Sequence, residues 1–151
     1  MAKVGFEQLY EQLPGNKPNF EDVWRLAGGN PRILERLYEN NWSGEAVVRE
    51  LIDRKGLRVF VESLNEHERE PLAKALDDPD VLMSRDGIPL MNKLIELNLA
   101  LEIPEWRDLT FWIDQPPPER DLELGIGKYV AWQTPIYREA IRRVLESSRR
   151  S

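Results

Sequence analysis

The segment LAGGNPRILERL (26–37) sets two glycines, an asparagine and a proline between two stretches of helical apolar spacing. Gly28-Gly29 ends one helix, because glycine enters the left-handed region without a side-chain clash. Asn30 can accept from the free amides of the next helix, and Pro31 takes its first position, where a missing N–H costs nothing. The same turn suits two roles. It is an ordinary stop and restart, or it is a place where backbone and a helix N-terminus approach an anion, with Arg32 as the adjacent cation.

Other residues with chemical potential are few. His67, in NEHEREP, suggests a zinc-protease helix, but that motif needs a second histidine four residues on, and Pro71 stands there. A solvated helix histidine is the simpler reading. Asp77-Asp78 and the pair Glu119 and Asp121 lie in polar, turn-like surroundings that suit caps and loops better than desolvated acid–base work. The chain holds no cysteine and one histidine, which excludes a disulfide frame, a thiol nucleophile and any His-rich metal site. No G-x-x-x-x-G-K-[ST] stretch occurs, so the chain has no P-loop of its own. The expectation is a chain without catalytic residues, metal or resident cofactor.

The elements that must position Gly28–Arg32 read as helices. Phe6, Leu9, Tyr10 and Leu13 share one face of residues 4–13, and Pro14-Gly15 closes that segment. Asn19 caps a helix over 20–27 that points Phe20, Val23, Trp24 and Ala27 inward. After the turn, Ile33, Leu34, Leu37 and Tyr38 form the inner face of the third helix. Ser43 caps a fourth, with Val47, Val48, Leu51 and Ile52 inside. Further helices follow over 57–64 and 65–76, the latter opened by an Asn65/Glu68 capping box, with Pro71 expected to kink it or delay its start to about residue 69. A turn or short helix spans 77–82, a turn spans 84–87, and a helix over 88–97 buries Leu90, Met91, Leu94 and Ile95.

The period then changes. Leu99, Leu101 and Ile103 alternate with Ala100 and Glu102 as in a half-buried strand, and KYVAW (128–132) is the natural antiparallel partner. The insertion between them carries a triple proline, Pro116-Pro117-Pro118, and predicts a third short strand near 111–113. Thr134-Pro135 opens a last helix with Ile136, Ala140, Ile141, Val144 and Leu145 inward, and SSRRS should fray. The fold class is therefore mainly α with a small antiparallel β-hairpin wing. A helical lid-like bundle over 1–56 precedes a winged helix-turn-helix domain over 57–151, with an inserted loop at 104–127.

The net charge is −6, with 32% charged residues, which fits but does not establish a hot habitat. Neither half, divided after Gly56, is cationic, which disfavours nonspecific binding to a phosphate backbone. A DNA-binding winged helix would read bases through the 88–98 helix, with Arg85, Asn92 and Lys93 available and Asp86 and Glu96 opposing them. Its wing contacts would be Trp106, Arg107 and Arg120. Arg138, Arg142 and Arg143 make a basic stripe interleaved with Glu139 and Glu146, which reads as a solvated face. Trp24 and Trp132 read as core, while Trp106 and Trp112 are candidates for docking another protein. No apolar run is long enough to span a bilayer and the start lacks a signal-peptide pattern, so the expected setting is cytoplasmic, without membrane partners.

GGNPRILERL (28–37) and KYVAWQTPIYREAIRRVL (128–145), separated by a winged-helix order of elements, resemble the C-terminal part of the archaeal ATPases in the STAND branch of the AAA+ superfamily. Members of that family place a P-loop domain first, then a helical lid with a GGNP-type turn, then a winged helix; here the P-loop domain is missing. The resemblance implies a non-catalytic regulatory module that senses the nucleotide state of a P-loop domain of the same parent chain and relays it to a partner. ATP or ADP with Mg²⁺ would belong to that parent ATPase. Gly28, Gly29, Asn30, Pro31 and Arg32 would contact the nucleotide, Pro31 against the base and Arg32 toward phosphate.

Overall fold

A computed structural model describes residues 3–103 and 120–150 of the chain. Its helices are α1 (Lys3–Gln12), α2 (Phe20–Ala27), α3 (Pro31–Glu39), α4 (Gly44–Arg54), α5 (Leu57–Ser63), α6 (Glu66–Ala75), α7 (Ile88–Glu96) and α8 (Pro135–Arg150). Short 3₁₀ turns occupy Pro79–Leu82 and Leu122–Leu124. Strands β1 (Ala100–Glu102) and β2 (Val130–Trp132) pair antiparallel with Ala100 opposite Trp132 and Glu102 opposite Val130. The fold is thus mostly helical with one small two-stranded antiparallel element, and α5, α6, α7, β1 and β2 follow in the order of a winged helix.

Local chemistry accounts for most boundaries. Asn19 Oδ1 accepts from the Glu21 amide, Ser43 Oγ from the Ala46 amide, and Asn65 and Glu68 close a reciprocal capping box. Proline at 71 neither kinks α6 into two pieces nor delays its start, since the helix begins at Glu66 and runs through Pro71 to Ala75. A proline there removes one intrahelical bond, and the capping box holds the turn that precedes it. Helix α8 also exceeds expectation. It continues to Arg150, and Arg69 Nη1 on α6 donates to Ser148 Oγ at 3.4 Å in its last turns.

The buried apolar side chains form one cluster that includes Phe6, Leu37, Val47, Leu57, Leu72, Leu94, Trp132 and Ile141, crossing residue 56 without interruption. Helix α8 joins the pieces by packing against α2, α4 and α5 as well as β2. Each fully buried leucine or isoleucine in such a cluster contributes about 1.5–3 kcal/mol. Trp132 is core, and its indole Nε1 donates to the Ala75 carbonyl at 3.0 Å. Trp24 is half-buried rather than core, edge-on to Phe6 at 5.5 Å between ring centroids, with the Lys3 ammonium 5.4 Å above its ring. Tyr38 and Ile95, expected inside, are exposed and half-buried, because each lies at the margin of its helix's apolar stripe.

The end of the insertion folds back onto the body. Ile126 bridges both Asp121 and Ala131, and Arg138 on α8 donates to the Leu122 and Glu123 carbonyls at 2.8 and 2.6 Å. Asp80, in the turn after α6, accepts from the amides of Lys128, Tyr129 and Val130 at 2.7, 2.8 and 3.2 Å. A carboxylate thereby occupies the backbone nest that leads into β2. The expected strand near 111–113 lies outside the described residues.

Removing the Asp80 carboxylate strands three amides at the start of β2. The Asp80→Ala variant should lose about 2–4 kcal/mol of stability in urea denaturation, whereas wild-type stability would show that water replaces the carboxylate without cost.

Candidate functional site

The Gly28–Arg32 turn is built as its residue types require. Gly28 lies at φ +57°, ψ +31°, and its amide closes α2 on the Trp24 carbonyl. A Cβ at this position would meet Pro135 Cδ at 2.5 Å, so glycine is needed both for its backbone angle and for the space. Asn30 Oδ1 accepts from the amides of Arg32 and Ile33 at 2.9 and 3.3 Å, and Pro31 has no amide to offer. The Asn30 cap therefore occupies the first-turn amides of α3. An anion at this turn would meet side chains rather than the free amides that the sequence suggested.

Thr134 and Pro135, from the second of the two resembling stretches, dock onto the first. The buried Thr134 hydroxyl donates to the Ala27 carbonyl at 2.9 Å, with the Leu26 carbonyl at 3.3 Å. These are C-terminal carbonyls of α2 that no intrahelical amide can reach. Segments about a hundred positions apart in sequence are thus fastened at one spot.

Four connections converge around this contact. Gly28, Gly29, Asn30, Pro31 and Arg32 line a surface concavity of about 550 Å³ together with Lys55 from the α4–α5 junction, Asn98 after α7, Gln133 after β2 and Tyr137 in the first turn of α8. All five sequence-derived residues share it. Lys55, Asn98, Gln133 and Tyr137 were not anticipated, although Gln133 and Tyr137 lie inside the quoted stretch 128–145. Two cations and no carboxylate line this concavity, while Arg32, Lys55 and Tyr137 also line an adjoining one of about 590 Å³ that contains Glu35, Glu39, Arg36 and Arg54.

Lys55 is half-buried. Its Nζ donates to the Leu97 carbonyl at 3.2 Å and lies 4.8 Å from the Tyr137 ring centroid. Burial pushes its ammonium below the usual lysine range. Burial likewise pushes the Tyr137 phenol up, with the Arg32 charge acting in the opposite direction. Arg32 itself is exposed. Among the described residues neither Arg32 nor Lys55 has an ion-pair partner, whereas the neighbouring Arg36 and Arg54 are both held by Glu50.

The other candidate surfaces are arranged differently. On α7, Lys93 is held by Glu68 at 2.6 Å, and that contact keeps the Glu68 carboxyl below its ordinary value. Arg85 and Asn92 are exposed. Arg85 lines a separate, larger concavity of about 890 Å³ that also contains His67, Glu68, Glu70, Lys74 and Asp86, so its charges are mixed. The stripe on α8 is engaged rather than free. Arg142 pairs with Glu139, Arg143 pairs with Glu45, and Arg138 binds backbone as described. Arg120 faces Asp78 Oδ2 at 3.6 Å. Trp106, Arg107 and Trp112 lie outside the described residues. Among the described residues no group of three His, Cys, Asp or Glu is placed to hold a metal ion, and no helix is long and apolar enough to cross a membrane.

A family model described as an ATPase domain predominantly from Archaea matches residues 1–37. The matched stretch spans α1, α2, the Gly28–Arg32 turn and most of α3. No curated protein and no solved structure matches the chain.

Two glycines with nearly the same backbone separate conformation from contact. Gly56 lies at φ +60° with no atom near a built Cβ, and Gly28 at φ +57° abuts Pro135. Gly56→Ala should cost about 1–2 kcal/mol, the left-handed penalty alone. At Gly28 the same change adds an overpacking cost of about 1–3 kcal/mol. Equal losses for the two variants in chemical denaturation would mean that the Gly28–Pro135 contact yields without strain.

Proposed function

We propose that this chain is a non-catalytic regulatory module, a helical lid joined to a winged helix, that contacts the nucleotide held by a P-loop ATPase domain of the same parent chain. In this role it distinguishes ATP from ADP and passes the difference to a partner by rigid-body motion of the lid and winged helix. The observation that carries the proposal is the concavity on Gly28–Arg32, with two cations and no carboxylate in a protein of net charge −6. Such a surface suits a phosphate group that another domain presents. The similarity of residues 1–37 to an archaeal ATPase domain supplies the context.

In this reading Arg32 reaches toward phosphate, since its guanidinium is exposed and unpaired among the described residues. Pro31, also exposed, offers a rigid apolar face toward the base. The Asn30 cap holds both by fixing the first turn of α3. Thr134 and Pro135 brace the turn from behind, so that a displacement of the turn moves the start of α8. The ATP-bound Mg²⁺ would take its protein ligands from the P-loop domain. The chain by itself would not hydrolyse ATP, and its winged helix serves relay rather than chemistry.

Arg32→Ala tests this in an ATPase that carries the chain next to its P-loop domain. Loss of one charge-assisted phosphate contact should weaken nucleotide affinity or turnover by about 10-fold or more, with the thermal midpoint of the nucleotide-free protein unchanged. Nucleotide affinity and turnover equal to wild type would remove Arg32 from the site and the sensing role with it.

A further inference from the structure

We infer that Lys55 is a second phosphate ligand of this concavity, steadied by the Tyr137 ring and by its hydrogen bond to the Leu97 carbonyl. The inference rests on the nucleotide-contact reading and extends it. That reading assigns contact only to residues 28–32, whereas Lys55 ends α4 and Tyr137 belongs to α8.

Charge pairing sets Arg32 and Lys55 apart from many other cations. Cations elsewhere on this acidic surface are mostly held by carboxylates: Lys3 by Glu21, Arg25 by Glu123, Lys74 by Glu70 and Lys93 by Glu68. Lys55 and Arg32 line one concavity and have no carboxylate partner among the described residues. Lys17, Arg58, Arg69, Arg85, Lys128 and Arg138 also have no carboxylate partner among the described residues, but Arg32 and Lys55 are brought together in one concavity.

The ammonium of Lys55 has donors to spare. Lys55 Nζ has three donors. One goes to the Leu97 carbonyl, and the Tyr137 ring face lies 4.8 Å away. Two donors remain, and Lys55 lines the concavity together with Arg32 and the neutral polar groups of Asn30, Asn98 and Gln133. Burial disfavours the charged form, so an arriving anion would gain more from Lys55 than from a fully solvated lysine.

Position supplies the consequence. Leu97 directly follows α7, and its carbonyl belongs to the negative end of that helix. A phosphate on the remaining donors would be tied through Lys55 to this carbonyl, linking occupancy of the concavity to the end of that helix. A purely structural Lys55, acting only as a C-terminal tether of α7, would be indifferent to anions.

The two roles separate in an NMR titration of the chain with inorganic pyrophosphate as probe. Saturable shifts are expected at Arg32, at the Lys55 side chain and at the Tyr137 ring, with the Lys55 pKa rising in the bound state. Lys55→Gln should weaken binding by about 10-fold, the loss of one charge-assisted bond, and Lys55→Arg should restore most of it. Shifts at Arg32 with an unmoved Lys55 pKa, or undiminished affinity in a folded Lys55→Gln variant, would overturn the inference and leave the Arg32 reading standing. No shift at either residue would overturn both. The wild-type Lys55 pKa decides the matter even if the glutamine variant does not fold.

Discussion

The contact on which the rest of the arrangement depends is the docking of Thr134 and Pro135 onto the end of α2. The threonine hydroxyl takes the Ala27 carbonyl, and the proline ring fills the space that a side chain at position 28 would occupy. This closure fixes the direction in which α3 leaves the turn. It also sets where α8 begins, and α8 in turn packs on α2, α4 and α5. Without it, Gly28–Arg32 would be a capped turn on an open surface. With it, residues from four separate connections line one concavity.

Electrostatics then distinguishes that concavity from the rest of the surface. Exposed ion pairs are individually worth little, about 0–1 kcal/mol, and their number does not explain why the protein is stable. Their effect is on the field: carboxylates on the same or a neighbouring element hold many of the cations, Lys93 on α7 among them. Among the described residues Arg32 and Lys55 belong to the cations without a carboxylate partner, and they line the same concavity. The Asn30 cap sharpens the point, because it occupies the α3 amides and leaves recognition of an anion to side chains. A bare helix N-terminus would attract many anions weakly, whereas two spaced cations around a braced turn can prefer a phosphate presented from one direction.

Features governed by local rules were legible in the sequence. Glycine after α2, the Asn30 cap, Pro31 at the first helical position and the Asn65/Glu68 box follow from neighbouring residues, the pairing of KYVAW with the 99–103 strand follows from two matching apolar runs, and the structure contains each of them. Pro71 shows where a local rule yields, since a well-capped first turn tolerates one missing hydrogen bond. Lys55, Asn98, Gln133 and Tyr137 were illegible as a group for a different reason. They come from separate connections, and only tertiary packing places them around the turn. A partial signal existed, because Gln133 and Tyr137 flank Thr134-Pro135 in the stretch already singled out, and a lysine before Gly56 marks a helix junction. Nothing in the pattern showed that these connections meet.

The central claim is that residues 28–32 meet a nucleotide that another domain holds. The most direct measurement is a structure of the chain together with the proposed P-loop ATPase domain and ADP. The account predicts a phosphate oxygen within hydrogen-bond distance of the Arg32 guanidinium, with Pro31 against the bound nucleotide and Thr134 still on the Ala27 carbonyl. Nucleotide fully bound in the P-loop domain with the Gly28–Arg32 concavity facing solvent would contradict it.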